Sequence, residues 1–140
     1  MHMLISMVLS FFSVKWEEAK QDCEDSGMEL AHNLSPQWFK DAESNKEIRH
    51  YLWAWQFWVG ARREGYDRIK DWKWINGDAL PASNPNWRQQ PKEPRKDYDA
   101  MCVIVKLTAD NNYGIMGPWY AALRQAGCGG KYLYICQPKA

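Results

Sequence analysis

The sequence WRQQPKEPRKDYDAMC, residues 87–102, decides how this chain is read. It is dense in prolines and charges, begins on Trp87 and ends on Cys102, and a turn-rich run from Asn76-Gly77 to Pro85 precedes it. A flexible linker has no use for a large ring at one end and a half-cystine at the other. Residues 76–101 therefore read as a long loop, tied down at its far end, that presents polar groups.

Working outward, the chain of 140 residues is 46% hydrophobic, enough for one core and short for two, so one domain is expected over residues 1–140 with its core at about 8–137. Nine tryptophans and seven tyrosines are many for this length, and large rings can fill a core that short strands fill poorly. The cysteines at 23, 102, 128 and 136 are even in number and contain no Cys-x-x-Cys pair, which fits disulfides in an oxidising compartment better than zinc. Their spacing leaves all three connectivities open.

Net charge is −4 over residues 1–59, +2 over 60–100 and +3 over 101–140. That gradient is too mild for a nucleic-acid binder but would suit a weakly anionic partner. The apolar run Met3 to Phe12 has no basic residue before it and no small-residue cleavage site after it, so a strand is expected rather than a signal peptide. A secreted form would have lost its signal upstream. No run is long enough to cross a membrane as a helix.

Before the loop, a first strand is expected over Met7–Val14. A helix follows, with Trp16, Ala19, Cys23 and Met28 on its inner stripe and Gly27 as its stop. The carboxylates at 17, 18, 22, 24 and 25 fall on its outer face. Ser35-Pro36 reads as an N-cap with proline at the first helical position, opening a second helix to about Trp53 with Trp38, Phe39, Ala42, Ile48 and Leu52 inward. Asn33-Leu34-Ser35 spells a glycosylation sequon, although Pro36 follows it and Asn33 also suits a turn. Phe57 to Ala61 reads as a strand, Trp72-Lys73-Trp74 alternates in, out, in, and Asn76-Gly77 marks a tight turn. Beyond the loop, Met101–Leu107 is a strand, Asp110-Asn111-Asn112 a turn, Gly114–Gln125 is unassigned, and Tyr132–Cys136 is the last strand.

In this order, Trp16-Glu17-Glu18-Ala19 before Cys23, Phe57-Trp58-Val59-Gly60, Trp72-Lys73-Trp74 with Asn76-Gly77, Trp87 before Glu93-Pro94, Cys102-Val103, Cys128 and Ile135-Cys136 resemble a C-type-lectin-like domain. The likeness runs from about Val8 to Gln137. Gly127-Cys128-Gly129-Gly130 and the lack of an extra N-terminal disulfide are similar to the short galactose-binding lectins of tunicates. The resemblance implies an α+β fold in which two helices flank small antiparallel sheets beside a long irregular loop. It implies the bridges Cys23–Cys136 and Cys102–Cys128, and an extracellular or secreted protein.

Calcium-dependent members of that family hold the ion with a Glu-Pro-Asn or Gln-Pro-Asp motif in the loop and an Asn-Asp pair near the third cysteine, because calcium takes six to eight oxygens. Here Glu93-Pro94 is followed by Arg95. Counted back from Cys128 the Asn-Asp pair falls on Arg124-Gln125; anchored on Trp119 it falls on Tyr120-Ala121. Arginine offers no acceptor and carries a fixed charge. Calcium dependence is therefore expected to be weakened or lost, with Glu93 and Asp99 as remnants of the site. Two readings of Arg95 stand: with Arg124 it replaces the metal and pairs with Glu93, or it is a solvated loop charge.

The resemblance points to glycan or glycoprotein recognition, with Glu93, Arg95, Asp97, Tyr98, Asp99, Trp119, Tyr120, Arg124 and Gln125 as candidate ligand residues. Trp87, Tyr98, Trp119 and Tyr120 are candidate stacking rings, Trp87 being better suited to the core. Arg88, Lys92, Arg95, Lys96 and Arg124 would favour acidic or sulfated sugars. A homodimer would add avidity. The alternative is a protein-binding domain of the same fold, since fold does not fix the ligand. His2, His32 and His50 are scattered and no phosphate-binding glycine loop occurs, so no enzyme is expected.

Overall fold

The computed structural model describes residues 3–4, 7–10, 12–44, 55–63, 72–88, 91, 101–112 and 115–139. Both described helices begin on a bond between a side chain and a backbone amide. The first, α1 (Trp16–Asp25), has the Lys15 amide donating to Glu18 Oε1 at 3.2 Å, and Glu17 and Glu18 in its first turn meet the positive end of the helix dipole. It ends where Gly27 takes a φ of +73°, a conformation costly for residues with a Cβ. In α2 (Pro36–Ser44), Ser35 Oγ accepts from the Trp38 amide at 3.1 Å, the N-cap expected before Pro36. Trp38, Phe39 and Ala42 are buried as expected; Ile48 and Leu52 lie outside the described residues.

The strands are β1 (Met3–Leu4), β2 (Met7–Leu9), β3 (Met28–Leu30), β4 (Trp55–Arg62), β5 (Lys73–Trp74), β6 (Cys102–Asn112), β7 (Ile115–Ala126) and β8 (Leu133–Pro138). They form one eight-stranded sheet in the order β1-β2-β8-β4-β6-β7, with β3 also on β8 and β5 on β4. The sequence suggests only antiparallel pairing, but β4 and β8 run parallel, Phe57 facing Leu133 and Trp58 facing Tyr134. The result is an α+β fold with a mixed sheet.

Three local expectations are corrected. The first strand ends at Leu9, where Ser10 turns its hydroxyl to Phe12 O and to the Tyr134 amide, and among the described residues a separate bridge joins Val14 to Tyr132. Met28 does not extend the helical stripe but opens β3, opposite Pro138. Asp110, Asn111 and Asn112 are not a turn. They continue β6, and the register shifts there, with Ala109 opposite Trp119 and Asn111 opposite Met116. Asp110 thus faces the two residues Gly117-Pro118, a bulge that accommodates a proline with no amide to give.

Residues alternate across the sheet and build a core on each face. Phe57, Val59, Val103, Val105, Leu107 and Leu123 pack against α2 and against Trp72, Trp74, Leu80 and Trp87. Trp58, Cys102, Ile104 and Ala126 turn the other way, onto Trp16, Ala19 and Cys23 of α1. Gly60 lies where β4 passes closest to its neighbours: a Cβ there would sit 3.0 Å from Ile75 Cδ1 and from Leu30 O. The disulfides are Cys23–Cys136, joining α1 to β8, and Cys102–Cys128, joining β6 to the turn after β7. This is the pairing the resemblance implies.

Candidate ligand site

The segment after β5 is held to the sheet by its rings. Trp72 and Trp87 meet at 5.4 Å between ring centroids, Trp87 Nε1 donates to Pro81 O at 3.1 Å, and Trp87 is core, as expected. Arg63 is buried at 1% exposure with its guanidinium 4.7 Å from the Trp72 ring centroid. Asn86 and Arg88 exchange backbone bonds with Leu123, Leu123 N to Asn86 O at 2.8 Å and Arg88 N to Leu123 O at 3.2 Å. The outer edge of β7 is thereby capped by this segment, and the side chains beside it converge.

Of the candidate ligand residues, Glu93, Arg95, Asp97, Tyr98 and Asp99 lie outside the described residues, as do Lys92 and Lys96. Trp119 is placed in β7 by its backbone, opposite Ala109. Tyr120, Arg124 and Gln125 are half-buried on β7. The Arg88 guanidinium sits 4.2 Å from the centroid of the Tyr120 ring, so one face of the best-placed phenol is already occupied by a cation. Tyr120 and Arg88 stand on the lip of a groove of about 380 Å³ between α2 and β7, lined also by Phe39, Lys40 and Glu43. Glu43 Oε1 accepts from the Ala121 amide at 3.0 Å and fixes α2 to the strand.

Arg124 brings in a residue the sequence reading missed. Ile104 faces Arg124 and Lys106 faces Ala122, which makes Lys106 and Arg124 diagonal neighbours on one face of the sheet. Burial, and then the Arg124 charge, hold Lys106 below the usual lysine range. Neither forms an ion pair with a carboxylate among the described residues, and Arg124 Nε is buried without a hydrogen-bond partner among them. The only sequence signal for Lys106 is its place as a lone charge in an apolar strand.

The Asn-Asp positions counted from Cys128 carry a guanidinium and a neutral amide, and among the described residues no three His, Cys, Asp or Glu side chains come together. A second groove, about 600 Å³, lies between α1, the end of β4 and β5. Arg62 there donates from Nη1 to Glu17 at 2.7 Å and lies over Trp16, with Lys20, Lys73, Ile75 and Gly77 around it.

Two helices on opposite faces of a mixed sheet, the two disulfides, and the long segment between β5 and β6 define the C-type-lectin-like fold. Solved structures carry it along nearly their whole length. TC14, a C-type lectin from the tunicate Polyandrocarpa misakiensis, matches with a TM-score of 0.63 and 22% identity, covering 96% of this chain and 97% of that one. Human lithostathine matches at 0.66 and 18%, covering 99% and 96%. The C-type lectin domain of murine dendritic cell inhibitory receptor 2, solved in complex with an N-glycan, matches at 0.64 and 19%, covering 99% and 95%. At these identities the likeness is one of fold. No family model matches the sequence, and no curated protein matches it.

Proposed function

We propose that this protein is an extracellular carbohydrate-recognition module that takes an acidic or sulfated glycan through residues 76–101 and the adjoining face of β7, without calcium in the usual role. The observation that carries this reading is the pair Lys106 and Arg124, two half-buried cations at diagonal positions on one face of the sheet, with no ion pair to a carboxylate among the described residues. Bringing like charges together costs free energy that an anion would return. Arg88 on Tyr120 adds a third cation at the same edge, beside a ring and a groove of sugar size. Guanidinium groups suit sulfate and carboxylate because their donors form a planar fork. The fold supports a lectin-like role, since a structural neighbour was solved with an N-glycan. The disulfides favour an oxidising compartment, and among the described residues no helix is long and apolar enough to cross a membrane.

A glycan array read with calcium and with chelator tests this. Binding to sulfated or uronic-acid sugars, equal in both conditions and weakened by salt, is expected. Signal that disappears with chelator would restore a calcium site. An array blank in both conditions would favour the protein-binding alternative.

A further inference from the structure

His32, two residues beyond β3, has an acceptor at each ring nitrogen. Its Nε2 lies 2.9 Å from Glu29 Oε1 and its Nδ1 lies 2.6 Å from Asn33 Oδ1. Which atom Asn33 turns towards the ring is fixed from the other side, because Asn33 Nδ2 donates to Asp78 Oδ2 at 2.7 Å and a carboxylate can only accept. Glu29 is ionised over most of the pH range, its carboxyl lowered chiefly by the His32 hydrogen bond and, more weakly, by Gln137 and by the charges of His32 and Lys139, against a burial effect that raises it. Both ring nitrogens must donate to satisfy this geometry, and only the imidazolium has two N–H groups.

We infer that His32, Asn33 and Asp78 form a protonation-dependent latch on the turn that opens residues 76–101. When His32 loses a proton, one of its two acceptors is left facing a lone pair. Retaining the proton on Nε2 keeps the Glu29 bond and sets Nδ1 against Asn33 Oδ1. Flipping the Asn33 amide repairs that contact but turns Oδ1 onto Asp78. The ionised Glu29 is the stronger acceptor and keeps the proton on Nε2, so the conflict falls on Asn33 and is passed along the chain of bonds. Asp78 is where it ends, and Asp78 holds the turn: its amide donates to Asn76 Oδ1 at 3.1 Å, its Oδ2 accepts from Asn76 Nδ2 at 3.0 Å, and its carbonyl accepts from the Trp74 amide at 2.9 Å. The Asn33 backbone is preset for the contact by a φ of +53°, which asparagine tolerates better than most residues.

The remaining neighbours hold the ring in place. The His32 amide donates to Gln137 Oε1 at 3.0 Å, and Gln137 Nε2 donates to Glu29 Oε1 at 3.3 Å, so β3 and β8 frame one side. Among the described residues, the charged groups around the ring are Glu29, Asp78 behind Asn33, and Lys139 acting on Glu29. Ile75 and Gly77 of the same turn line the larger groove, so loosening the latch reaches that wall as well.

The test is ¹⁵N NMR of the His32 ring together with hydrogen exchange at the Asp78 amide, read across a series from about pH 5 to pH 8. The doubly protonated ring is expected at the acid end, with an Asp78 protection factor that falls about three- to tenfold at the alkaline end, the loss of one hydrogen bond. Asn33→Gly, which keeps the positive φ available, and Asp78→Asn, which lets the Asn33 amide flip freely, should each abolish the pH response. A neutral ring at the acid end overturns the latch, and so does a response that persists in both variants. Glycan binding plays no part in these readouts, so their failure leaves the proposed function standing.

Discussion

The two faces of the sheet are stabilised by different means. On the α1 face, Trp16, Ala19, Cys23, Trp58 and Cys136 pack around chain ends that the Cys23–Cys136 bridge joins across 113 residues. On the α2 face no disulfide enters the core cluster, and Trp72, Trp74, Leu80 and Trp87 take that place. A covalent tie acts mainly on the unfolded chain, whereas a buried ring acts on the folded one. The groove beside Tyr120, against α2, is therefore built on the part of the molecule held by packing, whereas Lys106 and Arg124 follow Ile104 and Ala126 onto the α1 side of the sheet. The groove's side chains are set by local contacts that mutation can remove singly.

Removing the long tie should have the largest effect. Replacing Cys23 and Cys136 by alanine should destabilise the protein by about 5 kcal/mol on a chain-entropy basis, against about 3.5 kcal/mol for Cys102 and Cys128, whose loop is shorter. Denaturant midpoints of the two double variants check the order. Equal losses would mean that strain or residual structure, rather than loop length, sets the difference.

Next comes Trp87→Ala, which empties a ring site on the packed face and should cost about 3 kcal/mol. Because Asn86 and Arg88 flank Trp87 and bond to Leu123, the variant should also weaken any ligand held near Tyr120. Exchange protection at Leu123 should fall while that at Cys136 persists. Uniform loss at both would show that the two faces unfold as one unit. Smaller again is Ser35→Ala, which removes the cap of α2 and should cost about 1 kcal/mol.

What could be read from the sequence follows the same division. Caps, stops and disulfide-bearing elements depend on neighbouring residues, so Ser35-Pro36, Gly27, the alternation of Trp72-Lys73-Trp74 and the helix carrying Cys23 were legible. The strand at Met28–Leu30 was not, because three residues have no period of their own and gain their hydrogen bonds only from β8. Gly117-Pro118 and Asp110 read as breaks, yet opposite one another they form a bulge and the hairpin continues through it. Lys106 was hidden because its meaning comes from the register that places it beside Arg124. Arg88 was named for its charge, but its place on Tyr120 follows from the backbone bonds of residues 86–88 to β7.

The smallest effect concerns Lys106 itself and separates a cation pair that awaits an anion from a surface that tolerates two charges. Burial and Arg124 lower its folded pKa below the ordinary value of 10.5, so folding disfavours the protonated form. That penalty is fully present below the folded value, and it fades as pH rises from the folded value towards the ordinary one. Arg124 stays charged throughout. Lys106→Met keeps the aliphatic stem and removes the charge, so it should be slightly more stable than the natural chain at neutral pH, solvent screening keeping the gain small. The advantage should shrink as pH approaches 10.5. A sulfated ligand should reverse the ranking at neutral pH by stabilising the natural chain more than the variant. If the variant is less stable without ligand and the gap does not change with pH, Lys106 and Arg124 are not pressed together, and the observation behind the proposed anionic site fails.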